Sequence, residues 1–316
     1  MQDVDTSLEL VSRTLTSLTG SLSSYGFEFA PFLVDWYNAY VSDRLKLDKA
    51  TAPYADCVVI CIISNPQMFE QSFLPHLTSW FQAAGVNSLG GALGGLKKQT
   101  NGHLQSPGLN DPLDWSVLLR INEGLNASLR TLQEQLSSDE YAMLSFPRFI
   151  TDYAMRPVTR LPYVHVQCAG HVSGLAYFHQ RDTVSCAPQF GGGTPGCSLH
   201  PRYGGWFGFR GIVVFPNLRC PNLPRPVPVS SLPPGSPPFA PELLDRLLVE
   251  FRDHWRENRW RNFGLPEDSH QLYTAAAQCF FNTPPSKRAA LLESWMSCSS
   301  LNSHPSVLVQ SGVRTF

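Results

Sequence analysis

Two short blocks of the sequence combine small side chains with polar and charged groups in a pattern that favours a large ligand. The small residues would let something large and flat approach the backbone closely, and the polar groups could hold its rim. Arg210 lies inside an aromatic, glycine-rich strand pattern and could bind an anion. The pattern predicts a site for a large cofactor and not a small-metabolite pocket. The blocks are 171–182, with Gly170, His171, Ser173, Gly174, Ala176, Gln180 and Arg181 in or beside it, and 200–211.

His171 has two interpretations. A lone histidine among small residues is more often a core residue that hydrogen-bonds a carbonyl. The spacing from His171 to Gly174 also resembles part of the D-x-H-x-x-G fingerprint of cobalamin-dependent mutases, but Ala169 stands at the aspartate position. Without that carboxylate the imidazole is not oriented as a cobalt ligand. The fragment therefore does not predict a metal ligand from the protein.

Three arginines that lie far apart in sequence, Arg210, Arg261 and Arg288, form a second candidate group. Taken singly, each is more often part of a surface ion pair, which contributes little to stability. If they converged, their planar guanidinium groups would bind an acid with two carboxylates bidentately. The sequence does not show whether they converge.

The eight cysteines argue against a zinc site or a thioredoxin-like enzyme, because none of them forms a C-x-x-C pair. Cys57 and Cys61 lie an even number of residues apart in an apolar run and would face the same side of a strand. Inert core thiols are expected there. The sequence also contains no Walker loop and no H-E-x-x-H motif.

Composition places the chain among globular proteins with a sizeable core. Of its 316 residues, 43% are hydrophobic and 16% are charged, so global disorder is not expected. The net charge of −1 lacks the basic imprint of nucleic-acid binding. The N-terminus has no apolar signal core, and no apolar run is long enough to cross a bilayer. We therefore expect a cytoplasmic protein with reduced thiols and with neither nucleic acid nor membrane as partner.

Hydrophobic periodicity and turn residues predict a mixed sheet with flanking helices. The run 57–63 is continuously apolar, which suits a buried central strand. Within 206–215, alternation puts side chains 206, 208, 210 and 212 on one face. No regular βαβ repeat is present, so the predicted class is α+β. Helices are predicted at 8–22, 32–40, 67–82, 113–136, 164–179 and 242–260 and from Thr283, and further strands at 26–31 and 146–153.

Two segments between these elements have the composition of connections. Residues 85–111 are rich in Gly, Asn and Ser, which predicts a mobile surface loop. Residues 216–241 contain ten prolines, which exclude a helix or a central strand and predict an extended connection. The resulting boundaries are an N-terminal helical extension at 1–24, one domain at 25–295 and a disordered tail at 296–316.

The two blocks and several shorter segments resemble one protein family, in order and in detail. It is the family of cytosolic cobalamin-processing chaperones that is defective in combined methylmalonic aciduria and homocystinuria, type C. The resemblance runs from Tyr25 to Leu292. The matching segments are Tyr25-Gly-Phe-Glu-Phe29, Trp36-Tyr-Asn38, Asn65-Pro-Gln-Met-Phe69, Asp152-Tyr153, Gly170 to Arg181, His200 to Gly211, Pro221-Asn-Leu-Pro224, His254-Trp-Arg256 and Thr283 to Arg288.

This resemblance implies a flavin nitroreductase-like α+β fold that has become a cobalamin enzyme. It implies that cobalamin binds base-off and loses its upper axial ligand in two reactions. One is glutathione-dependent dealkylation of alkylcobalamins. The other is reductive decyanation of cyanocobalamin with reduced flavin (FAD or FMN), for which NADPH is the indirect electron source. The resemblance further implies a downstream cobalamin-trafficking adaptor protein as a partner. It also implies that the protein is either a monomer or a ligand-induced dimer.

The family's functional positions carry over where the motifs align. His171 and Gln180 match positions that line the corrin, and Gly196 matches a glycine that is important for cobalamin binding. No protein side chain is implied as a metal ligand, because the cobalt arrives within cobalamin. The other implied cobalamin-binding residues are Asp152, Val164, His165, Val166, Gln167, Phe178, His179, Ser198 and Phe209. The implied glutathione-binding residues are Arg210, Arg261, Arg288 and Tyr273.

The chain departs from the family pattern at positions that bear on selectivity. Phe178 and His179 stand where family members carry tyrosines, so a hydroxyl contact is lost. Asn258 replaces a tryptophan, and His165 and Val166 replace aliphatic or small residues. Two other classes of function stay open on the sequence, namely a flavin-dependent reductase of another substrate and a non-catalytic cobalamin carrier.

Overall fold

The computed structural model describes residues 3–84, 111–180, 196–232, 241–266 and 272–298. Helices and strands are mixed along these residues, in agreement with the predicted α+β class. The α-helices are α1 (Asp3–Leu22), α2 (Val34–Tyr40), α3 (Leu74–Ala84), α4 (Pro112–Gln135), α5 (Ser138–Met143), α6 (Val166–Val172), α7 (Pro241–Asp253), α8 (Ala275–Asn282) and α9 (Pro285–Cys298). The strands are β1 (Phe27–Leu33), β2 (Cys57–Ser64), β3 (Arg148–Thr151), β4 (Tyr177–His179), β5 (Cys197–Leu199) and β6 (Gly208–Arg219).

An antiparallel four-stranded sheet has the order β1–β2–β6–β3. All eight residues of β2 are buried, because this strand is paired on both sides and covered on both faces. The predicted central strand at 57–63 is therefore confirmed. Strands β4 and β5 form a separate two-stranded ribbon, in which Phe178 lies opposite Ser198.

β6 contains a bulge near its start. Ile62 of β2 pairs with Gly211, but Ile63 pairs with Phe209, so Arg210 opposes no residue of β2. A bulge of this kind bends the strand and changes the direction of the extra side chain. The simple alternation predicted for this strand is therefore interrupted at Arg210.

β6 also continues through Pro216 to Arg219, so the predicted start of the extended connection at 216 is wrong. A second register shift lies between the pairs that Cys57 and Val58 make with Arg219 and Phe215. Proline has no N–H to donate to the ladder and is tolerated at such an irregularity. The carbonyl oxygen of Pro216 accepts a hydrogen bond from the Cys57 thiol at 3.2 Å.

α1 packs against β1 and α4 through an apolar face that includes Leu18 and Leu22. The helices approach closely where Gly124 of α4 meets Leu22, since a Cβ at Gly124 would lie 2.3 Å from the Leu22 side chain. The Ser128 hydroxyl of α4 donates to the carbonyl oxygen of Ser17 at 3.1 Å. The predicted amphipathic helix at 8–22 is confirmed, and it begins five residues earlier, at Asp3.

The chain divides into two compact units. The first comprises residues 1–66 and 122–270 and contains both sheets, and the second comprises residues 67–121 and 271–316. In the second unit a π-helical turn, Phe69–Phe73, precedes α3. The rings of Phe69, Phe73 and Phe280 pack there with centroids 5.1 to 5.2 Å apart.

Two predicted helices are too long. The helix predicted at 164–179 is α6, which ends at Val172 because Gly174 adopts φ 76° and donates its N–H to the His171 carbonyl, and the chain then forms β4. The helix predicted at 242–260 is α7, which ends at Asp253. Two 3-10 turns follow it, at Trp255–Glu257 and Arg259–Asn262.

Other boundaries also differ from the predictions. Thr283 ends α8, a helix that was not predicted, instead of capping α9. α9 extends to Cys298, so the tail predicted from 296 is helical at its start, and residues 299–316 lie outside the described ranges, as do 85–110 of the predicted loop. The helix predicted at 113–136 is confirmed as α4. The helix at 32–40 begins at Val34, the helix at 67–82 begins as the π-helical turn, and the strands at 26–31 and 146–153 are β1 and β3.

Candidate functional site

α6 is fixed at its start by His165 and by a tyrosine of α2. The His165 side chain caps the helix by accepting a hydrogen bond from the Cys168 backbone N–H at 3.3 Å. The His165 backbone N–H donates to the Tyr37 hydroxyl at 2.8 Å. Burial lowers the pKa of His165 to about 4, so this capping imidazole is neutral at pH 7.

The small residues of α6 allow β6 to approach it. A Cβ at Gly170 would lie 2.4 Å from the ring of Phe209, so only glycine accommodates that ring at this distance. Phe209 in turn packs edge to face on Phe207, with centroids 5.1 Å apart. The small-residue face predicted in the first block therefore contacts an aromatic ring of the second block.

His171 is held by aromatic rings and one hydrogen bond. Its ring stacks on Tyr40 at 4.7 Å and meets the Tyr177 ring at 4.8 Å, nearly at right angles. Its Nδ1 accepts from the Phe178 N–H at 3.3 Å, so the neutral ring carries its proton on Nε2. Burial, assisted by the positive charge of Arg225, lowers the pKa of His171 to about 4. This histidine is thus a neutral, positioned ring and not a cation at pH 7.

The β4–β5 ribbon brings several predicted residues together around Gly196. The Gln167 side chain of α6 donates to the Gly196 carbonyl oxygen at 3.1 Å. A Cβ at Gly196 would lie 2.4 Å from the Phe178 ring and 2.9 Å from the His179 carbonyl oxygen. The Ser198 hydroxyl is buried, and no described residue forms a hydrogen bond with it. A buried hydroxyl of this kind is a group that a ligand could satisfy.

The remaining predicted cobalamin positions flank this cluster. Val164 is buried just before α6, Val166 is the first residue of α6, and Gln180 follows β4. Asp152 follows β3 and lies close enough to Arg210 for the two charges to interact. Burial raises the pKa of Asp152, and the charge of Arg210 partly opposes that shift.

Arg210 and Arg261 both belong to the first unit, and each is anchored through Nε. Arg210 is 7% exposed and donates from Nε to the Ser64 hydroxyl at 2.8 Å. Arg261 donates from Nε to the Asn258 side chain at 2.9 Å and from Nη1 to the Gly205 carbonyl. Arg261 therefore fastens a 3-10 turn to the segment that precedes β6, whereas the predicted helix at 242–260 would have placed it directly after a helix.

Arg288 and Tyr273 belong to the second unit. Arg288 donates from Nε to the Thr283 carbonyl oxygen at 3.1 Å and forms a buried ion pair with Asp111. Tyr273 packs against Phe281 with ring centroids 4.9 Å apart. Within this unit, Arg288 thus has a carboxylate partner from the protein itself.

A family model for the methylmalonic aciduria and homocystinuria type C family matches residues 26–292. The chain belongs to this family. The matched residues contain all of the predicted site positions, including both blocks and the three arginines, so the resemblance found in the sequence is confirmed.

Members of the type C family with similar sequences have been named for cobalamin chemistry. A Bos taurus protein called cyanocobalamin reductase / alkylcobalamin dealkylase is 31% identical over 283 residues, which cover 90% of this chain and 82% of that protein. The Homo sapiens protein of the same name is 29% identical, over 89% of this chain and 82% of that protein. A solved structure of a Caenorhabditis elegans B12-trafficking protein, CblC, is 24% identical and superimposes with a TM-score of 0.66, over 91% of this chain and 97% of that one. At that identity the superposition establishes similarity of fold.

Three residues that contact the predicted site residues were not among those predicted from the sequence. Ser64 anchors Arg210, Tyr37 accepts from the His165 backbone, and Tyr40 stacks on His171. Tyr37 lies inside a segment that resembles the family, and that resemblance could have identified it as a site residue. For Ser64, the sequence offered only its position at the end of an apolar run, directly before Asn65-Pro66.

The described residues contain no group of three or more His, Cys, Asp or Glu side chains that could hold a metal ion. Of the helices in these ranges, none combines the length and apolar character that crossing a membrane requires.

We expect stability to fall on mild acidification. Burial lowers the pKa of five histidines, His76, His165, His171, His179 and His200, from 6.5 to about 4. Between these two values the unfolded chain binds protons that the folded protein excludes. This contribution to stability is therefore fully present above pH 6.5 and is lost as pH falls towards 4, by up to about 1.4 kcal/mol per pH unit for a buried ring such as His179 or His200 and by less for the partly exposed rings.

Urea unfolding at pH 7, 6 and 5 measures this effect. The unfolding free energy should decrease at each step, and the His200→Gln variant should show a shallower decrease because one of the five rings is removed. A free energy that stays constant from pH 7 to 5 would contradict the buried, neutral state of these rings.

Proposed function

We propose that this protein binds cobalamin base-off and removes its upper axial ligand, by glutathione-dependent dealkylation of alkylcobalamins and by reductive decyanation of cyanocobalamin. Membership of the type C family and the names of its relatives support this function. The structural observation that supports it best is the meeting of α6 with the β4–β5 ribbon. Glycine backbone, aromatic rings and a buried hydroxyl without a described partner converge there.

The proposed cobalamin site combines aromatic rings with polar groups, which is the chemistry that a large flat ligand with polar substituents on its rim requires. The Phe209 ring packs over Gly170 and the Phe178 ring over Gly196, and Ser198 offers a buried hydroxyl for a hydrogen bond. Its proposed residues are Asp152, Val164, His165, Val166, Gln167, His171, Phe178, His179, Gln180, Gly196, Ser198 and Phe209.

In the proposed dealkylation, the thiolate of glutathione attacks the carbon bonded to cobalt. A carbon–sulfur bond forms, the cobalt–carbon bond breaks, and its electron pair stays on cobalt, which leaves as cobalt(I). Base-off binding makes this step easier, because four-coordinate cobalt(I) needs no lower ligand. The protein supplies orientation, which contributes on the order of 7–11 kcal/mol at best, and no side chain acts as an acid or base.

Arg210, Arg261, Arg288 and Tyr273 are proposed to bind glutathione, which has two carboxylates. Guanidinium groups bind carboxylates bidentately, and positive potential lowers the pKa of a nearby thiol. The hydrogen bond of Arg210 uses Nε, and no other described residue accepts from this side chain, so its two Nη groups suit a carboxylate. Arg288 would have to share its charge between glutathione and Asp111.

For decyanation, we propose reduced flavin (FAD or FMN) as the electron donor, with NADPH as the reductant that regenerates it. The Phe209 ring, which is only partly buried, is an aromatic side chain of the kind on which a flavin ring packs. When bound, reduced flavin supplies the electrons that release cyanide from cobalt. We likewise propose that the fold is nitroreductase-like, with residues 25–295 as the cobalamin-processing domain and 1–24 as an extension.

The cellular setting is also a proposal. We infer that the protein works in the cytoplasm as a monomer or a ligand-induced dimer and passes its product to a cobalamin-trafficking adaptor. Size-exclusion chromatography with and without cobalamin distinguishes the two oligomeric states.

Single Cys→Ser substitutions should leave dealkylation intact. Burial raises the pKa of the thiols of Cys57, Cys61, Cys197 and Cys220, to about 12 for Cys61, so these groups stay protonated and poorly nucleophilic at pH 7. Each folded variant, including Cys279→Ser, should turn over methylcobalamin within about 2-fold of the wild-type rate. A folded variant that binds cobalamin but has lost all turnover would identify an enzyme thiol as the nucleophile.

His171→Arg should weaken cobalamin binding. The imidazole is packed between Tyr40 and Tyr177, and a longer charged side chain does not fit that space. The arginine would then have to project into the proposed cobalamin site, and overpacking against the ligand of about 1–3 kcal/mol should lower affinity by roughly 5- to 150-fold. Calorimetric titration measures the affinity, and His76→Arg in the second unit is the control. Wild-type affinity in a folded His171→Arg protein would place the cobalamin elsewhere.

Turnover with glutathione tests the function directly. Methylcobalamin, glutathione and the protein should yield one S-methylglutathione per methylcobalamin consumed, detected by mass spectrometry. Binding of cobalamin without any product would identify a carrier. Binding of FMN with no spectral change on addition of cobalamin would identify a flavin reductase of another substrate.

A further inference from the structure

The bulge in β6 places Arg210 apart from the regular strand pairing. Arg210 has no partner on β2, and Gly211 beside it adopts φ 130°. A Cβ at Gly211 would lie 2.1 Å from the Ile150 carbonyl oxygen of β3, so the bulge depends on glycine at this position. The backbone therefore determines the direction in which the Arg210 side chain leaves the strand.

Ser64, the last residue of β2, receives that side chain. Its hydroxyl is 1% exposed, accepts from Arg210 Nε at 2.8 Å and is 3.4 Å from the Gly208 carbonyl oxygen, to which it donates. Gly208 leaves room for this arrangement, because a Cβ there would lie 2.9 Å from Arg210 Nη2. Serine, arginine and glycine thus form one buried assembly at the bulge.

The bond through Nε has a geometric consequence for any ligand of Arg210. A guanidinium can bind a carboxylate through Nε and one Nη, or through both Nη groups at its end. Ser64 already occupies Nε. Within the described part of the chain, the bond to Ser64 is the one hydrogen bond that the Arg210 side chain makes. The carboxylate must therefore bind end-on, through Nη1 and Nη2.

We propose that Ser64 is a positioning residue, which fixes the Arg210 guanidinium through Nε so that its two Nη groups receive one carboxylate of the thiol substrate end-on. This role rests on the proposed function, because it assumes that Arg210 binds glutathione. Ser64 itself does not touch the substrate. Without its hydroxyl the guanidinium rotates and presents a different edge.

The test compares Ser64→Ala with the wild type in dealkylation of methylcobalamin, using glutathione and then 2-mercaptoethanol, a thiol without carboxylates. Loss of a hydrogen bond to a charged group should raise the glutathione concentration for half-maximal rate at least about 5-fold. The maximal rate with glutathione and the rate with 2-mercaptoethanol should each stay within about 2-fold of wild type. Ser64→Thr keeps a hydroxyl and should restore most of the glutathione affinity.

Ser128→Ala is the matched control, because Ser128 is also a buried, hydrogen-bonded serine of the first unit but lies between α4 and α1. It should behave as wild type. Ser64→Ala in an Arg210→Gln background should have no further effect, because Ser64 acts through Arg210. If Ser64→Ala does not fold, Ser64→Cys, a weaker acceptor of nearly the same shape, takes its place in both comparisons.

Three results would overturn the role of Ser64 while leaving the proposed function in place. They are a glutathione requirement equal to that of Ser128→Ala, an equal loss of rate with both thiols, and an additive loss in the Arg210→Gln background. A wild-type protein that makes no S-methylglutathione would instead contradict the proposed function, and with it the assumption on which Ser64 depends.

Discussion

Gly196→Val is expected to disturb the β4–β5 ribbon and to lower the affinity for cobalamin by about 100-fold or more, while the rest of the protein stays folded. At this position even a Cβ would lie 2.4 Å from the Phe178 ring and 2.9 Å from the His179 carbonyl oxygen. The ring could move, but the carbonyl belongs to strand β4 and cannot shift without disturbing the ribbon. We expect affinity for methylcobalamin to fall by about 100-fold or more, as for overpacking near the upper end of its range.

Calorimetry and circular dichroism on the same preparation measure this loss of affinity and the folded state. The control is Gly20→Val on α1, where a Cβ would meet no atom within 4 Å. Its affinity should equal that of the wild type. A folded Gly196→Val protein with wild-type affinity would show that the ribbon does not line the cobalamin site.

Arg210→Lys is expected to separate the two proposed reactions. Lysine keeps the positive charge but lacks the planar fork that binds a carboxylate bidentately, and it cannot reproduce the Nε bond to Ser64 in the same geometry. The glutathione concentration for half-maximal dealkylation should rise about 10-fold. Flavin-driven decyanation should persist, because it requires electrons and no thiol.

Cobalamin affinity, dealkylation and decyanation are measured on one preparation of this variant. Arg202→Lys is the control, since Arg202 is exposed and pairs with Glu28 outside the proposed site. An equal loss of all three properties would mean that Arg210 is structural. A wild-type glutathione requirement would remove Arg210 from the glutathione site.

Hydrophobic patterns in the sequence predicted the elements whose formation depends on neighbouring residues in the chain. The apolar run of β2 could be identified because a strand buried on both faces has no polar alternation. α4 was predictable from its long helical periodicity. The end of α6 was missed because its small residues continue past Gly174, whose left-handed backbone terminates the helix. α8 was missed although Thr274 caps it by accepting from the Ala277 N–H at 3.1 Å.

The site could be predicted only in part, for a physical reason. The small residues around His171 pointed to it in the sequence itself, whereas Gly196 and Ser198 came only from resemblance to the family. The bond between Ser64 and Arg210 joins residues 146 positions apart, and it depends on the bulge at Gly211. Register shifts arise from tertiary packing, and alternation in the sequence predicts a regular strand instead.

Everything proposed for this protein depends on base-off binding of cobalamin at α6 and the β4–β5 ribbon. The most direct test is a titration of methylcobalamin with the protein at neutral pH, followed by absorbance. We predict a change from the red base-on spectrum to the yellow base-off spectrum, saturating at a stoichiometric ratio and absent with Gly196→Val. A spectrum that stays base-on at saturating wild-type protein, or that changes equally with Gly196→Val, would contradict the account.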